Sequence, residues 1–357
     1  MWRLNAAKFV GGALLAAALL AWVLRGTDLS AVLSHLREVP LTGLVTGLLL
    51  AGALNLGHNV FRVYRWRALL EPVRAGVRFR PMFDAVILGY MTTAIIPGRL
   101  GELVRPALLA GRTRLPLGAC LGSVFADRVL DAFAVASLFV VGVVLAPPVG
   151  GGTEQTALVR GAAFLMLAAV TVPLAVLLVI SIYRVRLERR LQGKTGVIPW
   201  TVRSVLSVSR GMEALRQPRL LGRALLHTLL AWLMIAAATW VGLRACGAVI
   251  PFAGMFVILP LLVLGIALPT PGGAGGYHLA MKIGLMEFYG IAEPVAVSAG
   301  FLMHLAVVVP VVLLGVVLLI VDRIPLHDIV QAARQVKELG RAEGSGTSAD
   351  CPMENTP

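Results

Sequence analysis

From Pro294 to Val321 the chain runs 28 residues without an aspartate, glutamate, lysine or arginine. Nothing else constrains its fold as strongly. A run of this length and character exceeds the roughly 20 residues that a helix needs to cross a bilayer. In lipid every backbone N–H and C=O must be paired within the segment, so the run has to be helical. Comparable runs recur upstream: Phe9–Leu24, Leu41–Val60, Leu115–Leu145, Gly161–Ile182 and Ala224–Leu243. Hydrophobic residues make up 58% of the 357 and charged ones 14%, with a mean hydropathy of +0.86. The expected fold class is an all-α polytopic membrane protein with about six transmembrane helices. The basic start MWRLNAAKFV and the apolar stretch behind it suit a signal peptide. No small-x-small cleavage site precedes Arg25, so the segment reads as an uncleaved first helix.

In such a chain a formal net charge of +14 marks cytoplasmic loops, and a nucleic-acid partner is not expected. Phe61–Arg80 holds six arginines against one glutamate, and Tyr183–Arg223 holds ten lysines and arginines against two glutamates. Ala146–Leu158 has no lysine or arginine and reads as external. This pattern places both termini in the cytoplasm and makes Asp322–Pro357 a polar tail whose end is expected to be disordered. Cys120, Cys246 and Cys351 give neither a disulfide framework nor a metal spacing.

Two stretches interrupt the apolar pattern. Gly89–Pro106, GYMTTAIIPGRLGELVRP, breaks at Pro97-Gly98, and Leu268–Gly276, LPTPGGAGG, breaks at Pro271-Gly272. Proline cannot donate a backbone hydrogen bond and glycine permits tight backbone. Broken backbone at membrane depth survives only where protein or water covers it. Both stretches therefore read as re-entrant elements that together line one polar site. The order span, broken element, span occurs over residues 41–145 and again over 224–321, joined by the basic loop 183–223 within a membrane domain of residues 1–325. The two units enter from opposite sides, which is the logic of an inverted repeat with a site near the midplane.

Charge beside the first break supplies the candidate site. Arg99, Glu102 and Arg105 fall on roughly one face of a half-helix. Arg99 and Arg105 suit an anionic headgroup through paired N–H donors. Gly98, Gly101, Gly272 and Gly273 would let a phosphate approach the backbone, and half-helix N-termini add unpaired donors. The plainer reading is that these glycines only permit close helix packing. Asp127, Arg128 and Asp131 neighbour one another on a helix, as a pin between helices or as a charged lining. Arg62 and Arg65 are either a topology marker or gather anionic headgroups. Asn55 is costly against lipid and should face protein or water. His278 directly follows the second glycine run; a satisfied interhelical hydrogen bond is its plainer role. Phosphate-loop, Gly-x-Ser-x-Gly and His-Glu-x-x-His motifs are missing from the sequence, so no cofactor and no metal are expected.

These pieces resemble the flippase-like integral membrane family that includes the transmembrane region of lysylphosphatidylglycerol synthases. The resemblance rests on Asn55 with FRVYRWRALL (Phe61–Leu70), IIPGRLGELVRP (Ile95–Pro106), DRVLD (Asp127–Asp131) and LPTPGGAGG, in that order. It implies movement of a lipid or lipid-linked molecule between leaflets, with Arg99, Glu102, Arg105, Asp127, Arg128 and Asp131 in the family's charged motifs. Family members often carry glutamate where His278 stands, which implies a difference in substrate or drive. The full synthases add a soluble catalytic domain. Only Asp322–Pro357 follows the last span here, so transferase activity is not expected. A membrane component of a lipid-modifying enzyme system, and a lipid-binding scaffold that recruits a synthase, remain as alternatives.

Overall fold

The structure is a computed structural model, and it describes residues 2–96, 101–148, 157–172, 174–175, 179 and 213–322. Pro97, Gly98 and Arg99, most of the basic loop, and the tail from residue 323 lie outside the described residues. All described secondary structure is helical. The helices are α1 (Trp2–Leu24), α2 (Leu29–Glu38), α3 (Leu41–Leu70), α4 (Phe79–Ile95), α5 (Gly101–Thr113) and α6 (Leu117–Leu145). They continue as α7 (Ala157–Val172), then α8 (Pro218–Ala245), α9 (Met255–Ala267), α10 (Gly276–Tyr289) and α11 (Glu293–Val321). Proline sets several starts: Pro40 and Pro116 cap α3 and α6, and Pro218 and Pro294 occupy first turns, where a missing N–H costs nothing.

Four helices are long and apolar enough to cross a membrane by themselves: α3, α6, α8 and α11. The expected count of six is not reached among the described residues. The first apolar run bends by 79° between Phe9–Leu24 and Leu29–Glu38, and the pair makes a fifth span if taken together. The bend has a local cause. Gly26 takes a positive φ of 77°, and the Asp28 carboxylate then caps α2 by accepting from the Ser30 and Ala31 amides. The run expected over Gly161–Ile182 is described as helix mainly over Ala157–Val172.

One boundary differs in a way that matters for the site. The second span was expected to end at Val60, with an arginine-rich loop behind it. Instead α3, 30 residues long in all, continues to Leu70 and carries Arg62 and Arg65 as buried side chains. At the other end of the chain, Arg219 and Arg223 belong to the first turns of α8.

The two long helices α3 and α8 form the central pair. They run antiparallel: Gly47 faces Ala245, Gly57 faces Met234, and the Tyr64 ring stacks on His227 at 5.6 Å. Small residues at these crossings let the backbones approach, the usual solution where lipid offers no hydrophobic gain for association.

Each half then holds a hairpin of short helices. In the first, α4 and α5 have 17 and 13 residues; in the second, α9 and α10 have 13 and 14. At 1.5 Å per residue these arms are about 20–26 Å long, less than a bilayer core. Each hairpin closes on a glycine pair. A Cβ on Gly101 would collide with the Gly89 carbonyl, and one on Gly276 with the Gly265 carbonyl.

The hairpins approach α11 from opposite ends. Arg80, at the start of α4, reaches Asp322 just past the C-terminus of α11 at 3.0 Å. Lys282 of α10 reaches Glu293 at the N-terminus of α11 at 2.6 Å. Their tips meet between these ends. Gly272 lies close enough to Ala94 that an added Cβ would stand 3.1 Å from its carbonyl oxygen. His304 of α11 hydrogen-bonds the Gly272 carbonyl at 2.9 Å.

Candidate functional site

Helical spacing assembles the charge. On α3, Arg62 and Arg65 are three residues apart; on α6, Asp127 and Asp131 are four apart, with Arg128 between them. The first hairpin adds Arg105 from α5. Arg65 is the centre: its Nε stands 2.5 Å from Asp127 Oδ1 and its Nη1 2.6 Å from Asp131 Oδ1. Arg105 donates to Asp127 Oδ2 at 2.9 Å. Arg128 lies 3.6 Å from Asp127 and 3.4 Å from Asp131, and Arg62 lies 3.7 Å from Asp131.

Aromatic and hydroxyl side chains complete the setting. Trp232 of α8 donates its Nε1–H to Asp131 at 3.0 Å, and Trp66 donates to Ser123 Oγ at 2.8 Å. The Arg105 guanidinium rests on the Trp66 ring, 4.2 Å from its centroid. Arg62 donates to the Tyr90 hydroxyl of α4. Thr228 accepts a long bond from Arg65 at 3.4 Å.

Four guanidinium groups thus share two carboxylates inside the protein. Burying an ion pair costs several kcal/mol per ion before the mutual attraction offsets it. An excess of one sign makes the account harder to close. The geometry carries that excess as unused donors. Nε of Arg62, Arg65, Arg105 and Arg128, and Nη2 of Arg65, are enclosed without a hydrogen-bond acceptor among the described residues, and Asp127 Oδ1 and Asp131 Oδ2 without a hydrogen-bond donor, so five donors stand against two acceptors. Enclosed positive charge with spare N–H groups is suited to an anion.

A narrow cavity opens beside this cluster, lined by Gly89, Tyr90, Thr93, Gly101, Glu102, Arg105 and Arg128 among others. Its volume is about 10 Å³, the space of one water molecule. A phosphate-sized group therefore needs the hairpin to move away from α6.

The sequence-derived candidates divide into three sets. Arg62, Arg65, Arg105, Asp127, Arg128 and Asp131 form one cluster, with Glu102 and Gly101 on the adjoining cavity. Gly98 and Arg99 lie outside the described residues. Asn55, Gly272, Gly273 and His278 are engaged elsewhere. Asn55 donates to the Val307 carbonyl of α11 at 3.3 Å. Gly272 and Gly273 abut Ala94 and Ile266. His278 Nδ1 accepts from the Gly275 amide at 3.2 Å, and its ring packs on Phe301 at 4.3 Å and His304 at 4.7 Å. The second break thus meets the tip of the first, while the arginines gather beside the first hairpin.

Reading the sequence missed Tyr90, Thr228 and Trp232, and had Trp66 only within the FRVYRWRALL segment. Trp232 left a signal: it sits amid an apolar run with an N–H that has to find an acceptor away from lipid. Among the described residues no three histidine, cysteine, aspartate or glutamate side chains converge to hold a metal ion.

The model of one protein family, the lysylphosphatidylglycerol synthase TM region, matches residues 9–315 of the chain. No curated protein matches it.

Proposed function

The chain belongs to the lysylphosphatidylglycerol synthase TM region family, and on that premise we propose that it moves a lipid with an anionic headgroup between the leaflets of the cell membrane. The lipid is a phospholipid or an isoprenoid-linked lipid. One observation carries this reading: three buried arginines and a half-buried fourth share two aspartates and keep enclosed N–H donors without acceptors among the described residues. Even counting Glu102, which lines the adjoining cavity with Arg128, four arginines face three carboxylates, whereas a cluster built only to pin helices together would balance its charges.

The architecture supports transport over simple binding. α3 and α8 hold corresponding places in the two halves and run antiparallel. Each half contributes a hairpin, and the hairpins reach α11 from opposite ends. This is how an inverted repeat would offer one site to each face in turn. The topology we assign has six crossings, with α1 and α7 added to the four long helices, and both termini in the cytoplasm beside the arginine-rich segments. A lipid synthase is the partner such a carrier would serve.

The test is leaflet exchange in vesicles that hold the purified protein and a fluorescent phosphatidylglycerol. Quenching from outside should bleach the inner-leaflet pool within the time that empty vesicles retain it. Exchange no faster than in empty vesicles, with the protein folded, would remove the transport reading.

A further inference from the structure

The six charged residues of the cluster are not equivalent. Arg65 has a wholly buried side chain, and Arg105 and Arg62 expose 4% and 8% of theirs. Arg128 exposes 35%. Its carboxylate distances, 3.4 and 3.6 Å, are long, whereas Arg65 holds its partners at 2.5 and 2.6 Å. Arg62 stands farther from its carboxylate, 3.7 Å from Asp131, but it is buried and also donates to the Tyr90 hydroxyl, so Arg128 is the most accessible cation of the cluster. It also lines the cavity between the first hairpin and α6.

The surroundings of that cavity set the direction of approach. On α5, Leu103 follows the cavity-lining Glu102 and is exposed; on α6, Phe125 sits one turn before Arg128 and is exposed. Large apolar side chains on the outside of a membrane helix face acyl chains. α5 and α6 therefore each carry an exposed apolar side chain next in sequence to a residue that lines the cavity, Glu102 and Val124, with a cation behind them. Once the hairpin moves away from α6, that arrangement would admit a headgroup sideways from the bilayer while its tails stay in lipid.

Building on the transport reading, we propose that Arg128 is the residue that meets the anionic headgroup, through the seam between α5 and α6. Arg62, Arg65, Arg105, Asp127 and Asp131 form the fixed frame that holds Arg128 in place. The ligand is a lipid-anchored phosphate, and a free phosphate lacks the tails that the flanking side chains would receive.

The test uses the full chain in phosphatidylcholine nanodiscs, titrated with dioctanoyl phosphatidylglycerol, dioctanoyl phosphatidylcholine and inorganic phosphate. Arg128→Gln should weaken phosphatidylglycerol binding by about tenfold or more, the effect of losing a charged hydrogen-bond donor, with an unchanged melting temperature. Arg128→Lys should recover part of the binding, and Arg65→Met should lower the melting temperature. The assignment is overturned if Arg128→Gln binds like the unmodified protein, or melts as low as Arg65→Met. Equal binding of inorganic phosphate and phosphatidylglycerol overturns the lateral route. The transport reading fails separately: binding that depends on Arg128 without leaflet exchange defeats transport alone. Undiminished exchange in Arg128→Gln defeats this assignment alone.

Discussion

Arg65 and Asp127 face each other across α3 and α6 with Nε and Oδ1 2.5 Å apart, and neither side chain exposes any surface. The pair is the hub of the cluster, because Asp127 also accepts from Arg105 and Arg65 also bonds Asp131. Removing one member leaves the other charged, buried and short of a partner, which typically costs about 3–5 kcal/mol. Arg65→Met is therefore expected to lower thermal stability in detergent sharply. Arg65→Met combined with Asp127→Leu should be less damaging than the sum of the single changes, since both remove the same contact. Additive losses in a double-mutant cycle would show that the two side chains do not depend on each other.

How much of this was legible in the sequence varies with the range of the interaction. The two breaks and the repeated order of span, broken element and span follow from local composition, and the structure has a short-helix hairpin in each half. The acid–arginine cluster on α6 was legible from its spacing. Its partners were not. Arg62 and Arg65 read locally as a loop at the membrane surface, because a rule about arginine counts sees only neighbours in sequence. What keeps them inside a helix is Asp127 and Asp131, far along the chain on another element. The same holds for the bend after α1: Gly26 and Asp28 are visible as turn residues, but nothing local says that the chain turns by 79° there.

The hairpin glycines make a sharp contrast with glycines elsewhere. At Gly101 an added methyl would strike the Gly89 carbonyl and Thr93 Oγ1, whereas at Gly111, on the same helix, nothing lies within 4 Å. Gly101→Ala should force the arms of the first hairpin apart and cost about 1–3 kcal/mol, as overpacking does. Gly111→Ala should be neutral or mildly stabilising, because alanine is the better helix former. Parallel melting curves check this, and equal melting temperatures for the two variants would contradict the close contact.

The ion pairs at the two ends of α11 are partly exposed and should contribute little to global stability. Lys282 also donates to the Val23 carbonyl and to Thr27, so Glu293 ties the end of α1 to the second hairpin and to α11. Arg80 joins Asp322 to Asp84, which Arg112 meets across the first hairpin. Glu293→Gln should loosen the end of α1 and the C-terminal half of α10, with a stability change of no more than about 1 kcal/mol. Asp322→Asn should loosen the start of α4 instead. Hydrogen exchange resolved by peptide separates the two outcomes, and an identical pattern in both variants would mean that each pair does not hold its own hairpin.

The contact between the tips depends on one side chain of α11. His304 bonds the Gly272 carbonyl at 2.9 Å, and its ring also packs against Tyr277 and His278. Gly272 has a positive φ of 59°, so the carbonyl is presented by a backbone shape that other residues adopt with strain. His304→Leu keeps the bulk but leaves that carbonyl without its partner, a loss of up to about 1–3 kcal/mol for a partly buried acceptor. The loss should be local, because α9 and α10 are still clamped at Gly265 and Gly276. Amides at the start of α10 should then exchange about ten- to a hundredfold faster, while those of α8 keep their protection. If exchange at α10 is unaltered, the tip of the second hairpin is held by its glycine packing alone, and His304 serves only as one more ring in the aromatic cluster.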